Sequence, residues 1–62
     1  MKYREIVRLL RDDGWILDSQ TGSHTHFKHP TKSGKVTVPY HGGNQDLVKP
    51  VVRSILRQAG LK

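Results

Sequence analysis

The chain has 62 residues, 11 Lys and Arg against 5 Asp and Glu, a net charge of +6 and no cysteine. A chain this short buries only about 60% of its unfolded surface, which leaves room for one thin core and a surface site, not a deep small-molecule pocket. The missing cysteines exclude a disulfide framework and a thiolate metal centre, and the cation excess favours a phosphate backbone or an acidic protein as partner.

Tyr3, Ile6, Val7 and Leu10 recur at i, i+3, i+4 and i+7 and predict a first helix with one apolar stripe. Arg4, Arg8 and Arg11 fall mostly outside that stripe. Asp12-Asp13-Gly14 reads as its stop, with Gly14 suited to a left-handed position. Two acids oppose the negative end of the helix dipole, so Asp12 and Asp13 are expected to pair with a nearby base. Trp15 to Gln20 reads as a first strand, with Trp15 and Leu17 on one face and Ile16 and Asp18 on the other. Trp15-Ile16-Leu17 is the longest apolar run, far short of a membrane span or a signal-peptide core, so a cytoplasmic protein without membrane contact is expected.

Thr21-Gly22-Ser23 is a turn, and His24 to His29 a second strand. The Pro30 to Gly34 segment is dense in turn formers. Lys35 to Pro39 follows as a third strand, its proline leaving that end frayed or at a sheet edge. Tyr40 to Asp46 reads as a loop. Pro50 fits the first position of a second helix, whose stripe is Val51, Val52, Ile55, Leu56 and Ala59 and whose stop is Gly60. The predicted class is therefore α+β: one domain over residues 1–62, in the order α-β-β-β-α. A three-stranded antiparallel sheet carries both helices on one face, leaving the other open.

Alternation decides what the open face presents. With Phe27 in the core, His24, His26 and Lys28 point the other way, beside Lys35 and Thr37 of the third strand. Two imidazoles and two ammonium groups on one surface can hold a phosphodiester and move a proton near it, because histidine titrates close to neutrality. His24 is the leading candidate. His26 and His41 are assisting candidates, while His29 falls on the Phe27 face or at the strand end. Arg53 and Arg57, one helical turn apart, are candidates for phosphate contact. Ser23 and His24 are strand neighbours facing opposite ways, which argues against a Ser–His nucleophile pair. A His24/His26 zinc site lacks cysteine and any suitably spaced acid, so no metal and no cofactor is expected.

Gly14-Trp15 after the first helix, Gly22-Ser23-His24 before a strand, Val38-Pro39-Tyr40-His41, and Arg53-Ser54-Ile55-Leu56-Arg57-Gln58-Ala59-Gly60-Leu61 together resemble the HicA family. Those are the toxin ribonucleases (mRNA interferases) of HicAB toxin–antitoxin pairs, and the resemblance spans almost the whole chain. It implies a fold similar to the double-stranded RNA-binding domain, a catalytic histidine at His24, mRNA as substrate and a HicB-type antitoxin as partner. Members often open the last helix with Gly-Thr, where this chain has Lys49-Pro50-Val51. RNA or antitoxin contacts near that helix start are expected to differ accordingly. Combined with the local chemistry, the resemblance implies metal-free RNA cleavage with His24 as general base and Lys28, Lys35, Arg53 and Arg57 on the phosphates. The alternative is a non-catalytic RNA-binding module of the same fold.

Overall fold

Helix α1 (Tyr3–Asp12) buries Ile6 and Leu10 and packs half-buried Tyr3 and Val7 against the same core, as their spacing predicts. Glu5 secures its start by accepting a 2.7 Å hydrogen bond from the Lys2 N–H. The chain turns out of the helix at Gly14, where two independent demands require glycine. Its φ is +104°, and a Cβ there would lie 2.6 Å from Nε2 of His29. The computed structural model describes residues 1–42 and 44–61; Gly43, expected in the Tyr40–Asp46 loop, lies outside them.

Strands β1 (Ile16–Thr21), β2 (His24–Lys28) and β3 (Val36–Pro39) form one antiparallel sheet in sequence order, followed by α2 (Lys49–Gln58). The α+β class and the α-β-β-β-α order are as the sequence predicts. Differences concern ends. Trp15, His29 and Lys35 lie just outside their strands, Thr21 completes β1, and α2 starts at Lys49, making Pro50 its second residue. Pro39 is the last residue of edge strand β3, where its missing N–H costs no ladder bond.

Phe27, Val36 and Val38 meet Ile6, Leu10 and Trp15 from one side and Ile55 and Ala59 from the other. Leu47 joins this core although it lies outside any strand or helix. Its N–H donates to the Met1 carbonyl at 2.7 Å, beside an antiparallel bridge between Lys2 and Asp46. Among the described residues Thr25 is the buried polar member, and it is satisfied: its hydroxyl donates to the Val38 carbonyl at 2.7 Å and receives the Tyr3 hydroxyl at 3.1 Å.

Strand β1 departs most from expectation. Leu17 pairs with Phe27 and so shares the helical face, yet it is 47% exposed because the helices do not extend over β1. A bulge at Asp18, between Leu17 and Ser19, then reverses the alternation. Ser19 and Thr21 pair with His26 and His24 and move to the open face.

The acids at the end of α1 divide their roles. Asp13 accepts from Nζ of Lys32 and from Nε1 of Trp15, while Asp12 stays exposed. Lys32 also donates to the Ala59 carbonyl at 3.0 Å, tying the 30–34 segment to both helix ends. The Lys32 hydrogen bond, more than its charge, holds the Asp13 carboxyl below its usual range, against a smaller opposing effect of burial. A depressed folded pKa contributes stability above the unfolded value near 3.8, and that contribution is lost as pH falls through the folded value. Asp13→Asn is therefore expected to lower the urea midpoint at neutral pH, and its difference from the parent to shrink below about pH 4. A difference independent of pH would remove the ion pair as its cause.

Candidate active site

The open face is built on β2. The register from His24↔Pro39 to Phe27↔Val36 is unbroken, so residues 24, 26 and 28 stand on the side opposite Thr25 and Phe27. His24 is exposed at the start of the strand. It follows the Gly22-Ser23 turn, in which Gly22 takes φ +59°. Among the described residues no hydrogen bond restrains its ring, which leaves both nitrogens available to a ligand.

His26 is different. It is half-buried, and its Nδ1 lies 3.0 Å from Oγ1 of Thr37 on the neighbouring strand. Lys28 is exposed, with Nζ 3.1 Å from Oδ1 of Asp18, the bulged residue of β1. Pairs this exposed contribute about 0–1 kcal/mol, so an arriving phosphate can compete for that ammonium. The face thus gathers two imidazoles, a lysine and the hydroxyl residues Ser19, Thr21 and Thr37.

The remaining candidates lie outside this cluster. Lys35 is exposed immediately before β3. His41 is exposed in the loop after β3. Its backbone N–H donates to Oε1 of Gln45 at 2.6 Å, and pairing of Pro39 with His24 puts the loop's start at the His24 end of the sheet. Arg53 and Arg57 are exposed on α2, in the helical layer behind the sheet. Arg53 borders a shallow groove with Met1, Lys49, Val52 and Leu56. The two arginines therefore belong to a surface separate from the histidine cluster.

His29 has a structural task. Its Nδ1 accepts the backbone N–H groups of Thr31 and Lys32, both at 3.1 Å, so the proton resides on Nε2, which donates to the Asp13 carbonyl. Its ring meets Trp15 edge-on at 5.2 Å. Both nitrogens are committed to holding the loop.

Sequence reasoning did not find Asp18, Ser19 or Thr21. Alternation counted straight through β1 misassigns Ser19 and Thr21, and an aspartate in the middle of a strand is the available hint of a bulge. Among the described residues no three His, Asp or Glu side chains converge as a metal site, and no helix is long and apolar enough to cross a membrane.

Two comparisons bear on what this face does. The family model described as the HicA toxin of bacterial toxin–antitoxin matches residues 3–61. A "Probable mRNA interferase HicA" of Pseudomonas fluorescens (strain Pf0-1) is 41% identical over 63 residues, covering 100% of this chain and 98% of the relative.

Proposed function

The chain belongs to the HicA toxin family, and from that premise we propose that it is an endoribonuclease that cuts mRNA through His24 acting as general base, without a metal ion. The observation that carries this reading is the exposed His24 ring, standing beside a second imidazole on an open, hydroxyl-lined face. A flat face of this kind receives an extended polymer more readily than it encloses a small molecule.

Neutral His24 takes the proton of a ribose 2′-hydroxyl, whose oxygen attacks the adjacent phosphorus. The products are a 2′,3′-cyclic phosphate and a free 5′-hydroxyl. Lys28 and Lys35 offset charge developing on the phosphate, and Arg53 and Arg57 engage the chain further away.

RNA incubated in excess EDTA tests the reading. Cleavage is expected to persist, and deoxyribose on the 5′ side of the scissile phosphate should leave binding intact while blocking the cut. Loss of activity restored by zinc or magnesium, or products with 5′-phosphates, would overturn it. RNA retained in a salt-dependent way but never shortened would instead identify a binding module.

The partner implied by family membership is a HicB-type antitoxin. An exposed catalytic face is silenced most directly by covering it, so an antitoxin segment is expected to lie over His24 and bring acidic groups to Lys28 or Lys35. Mixing the antitoxin with toxin should then protect His24 from carbethoxylation. An unprotected ring in a stable complex would contradict this placement.

A further inference from the structure

We infer that His26 is the general acid of the cleavage and that Thr37 is the positioning residue that aims it; the inference rests on the reading of His24 as base. Displacement by the 2′-oxygen has two proton-transfer ends, since the attacking oxygen must lose a proton and the departing 5′-oxygen must gain one. One ring cannot reach both at once. Residues i and i+2 of a strand share a face about 6.6 Å apart. That separation lets one ring meet the attacking oxygen and the other the leaving oxygen of a single phosphodiester, each through a hydrogen bond of about 2.6–3.2 Å. The unbroken β2–β3 register keeps His24 and His26 in this relation, because the bulge is confined to β1.

The two rings are not equivalent, and their difference assigns the roles. Nδ1 of His26 lies 3.0 Å from Oγ1 of Thr37, whereas the His24 ring has no such restraint among the described residues. With Nδ1–H donating to that hydroxyl, Nε2 is the nitrogen left to carry and release a proton. The bond to Thr37 persists whether the ring is charged or neutral, so orientation survives the transfer. Thr37 is itself held. Its backbone N–H donates to Oε1 of Gln58 at 3.2 Å, and Nε2 of Gln58 donates to Oγ of Ser54 at 3.3 Å, anchoring this part of the edge strand to α2. Lys28 is a poorer acid for the same step, being two residues further from His24 and paired with Asp18.

The step balances. The 2′-oxygen gives its proton to His24 and forms a bond to phosphorus. The bond between phosphorus and the 5′-oxygen breaks, and that oxygen receives the Nε2 proton of His26. Solvent then resets both rings.

The test compares ordinary RNA with the same RNA carrying sulfur in place of the bridging 5′-oxygen at the cleavage site. A thiolate departs without being protonated, so this substrate does not need the acid. On ordinary RNA His26→Ala is expected to lose roughly 10²–10⁴-fold in rate, and on the sulfur substrate to return to within about tenfold of the parent. Thr37→Val should show a smaller loss relieved in the same way, and Thr37→Ser, which keeps the hydroxyl, should recover most of it on ordinary RNA. His24→Ala should stay defective on both substrates. If His26→Ala and Thr37→Val are equally defective on both, the acid assignment is overturned while the base reading stands. If sulfur rescues His24→Ala or His41→Ala instead, the acid is that residue and the inference also fails. Full activity of His24→Ala on both substrates would overturn the underlying reading separately.

Discussion

His24→Ala is expected to lower RNA cleavage, and the growth arrest that follows from it, by at least roughly 100-fold, the lower bound for removing a positioned general base. The same substitution should leave the fold intact. The ring is exposed on the side of β2 opposite Thr25 and Phe27, and no hydrogen bond from the described residues depends on it. Surface changes of this sort alter stability by less than about 0.5 kcal/mol. RNA binding and antitoxin binding should therefore persist, and the urea midpoint should stay near that of the parent. His41→Ala is expected to give a smaller loss. His29→Ala provides the contrast within one residue type: both nitrogens of that ring hold the Asp13 carbonyl and the Thr31–Lys32 backbone. Its cost should fall on stability and far less on the rate of the folded protein. Cleavage assayed beside denaturation separates the two kinds of histidine, and a folded His24→Ala protein cutting RNA at full rate would remove the central claim.

Much of this division was legible in the residues alone. Alternation around Phe27 places His24, His26 and Lys28 on one face, and the Ile6/Leu10 and Ile55/Ala59 spacings place both helices on the other. These patterns are legible because the period of the side chains and the burial of one face reinforce each other. Four features escaped for physical reasons. The bulge at Asp18 depends on how β1 meets β2, not on any local preference, and it shifts Ser19 and Thr21 to the histidine side. Leu47 is buried through a pairing of residues 45–47 with the segment before α1, a contact between distant parts of the chain. The Lys32 contacts with Asp13 and Ala59 are likewise long-range, although the need of Asp13 for a cationic partner follows from its place at a helix C-terminus. For His26, sequence supplied the face but not its bond to Thr37, which requires the strand register.

Phe27→Ala is expected to have the opposite consequence to His24→Ala, only three residues away. Phe27 is 1% exposed and lies in the core between the residues of both helices and the Val36/Val38 pair of β3. Truncating a buried phenylalanine costs about 3–5 kcal/mol, the sum of lost transfer energy and the cavity left behind. A domain of this length has roughly 3–9 kcal/mol of stability in all, at about 0.05–0.15 kcal/mol per residue. No disulfide supplements it, and among the described residues the core has nine buried apolar side chains to absorb the loss. The cooperative urea transition should therefore shift to much lower denaturant or vanish. Cleavage would fall with the folded fraction, because His24 and His26 keep their shared face only while β2 is paired on both sides. Phe27→Leu, which keeps most of the volume, should cost less than about 1.5 kcal/mol and retain cleavage. The pair of variants distinguishes packing from chemistry at this position. A Phe27→Ala protein with a native midpoint would show that the residue is not the centre of the core. One with a native midpoint and no cleavage would make Phe27 part of the RNA site and place it on the wrong side of the sheet.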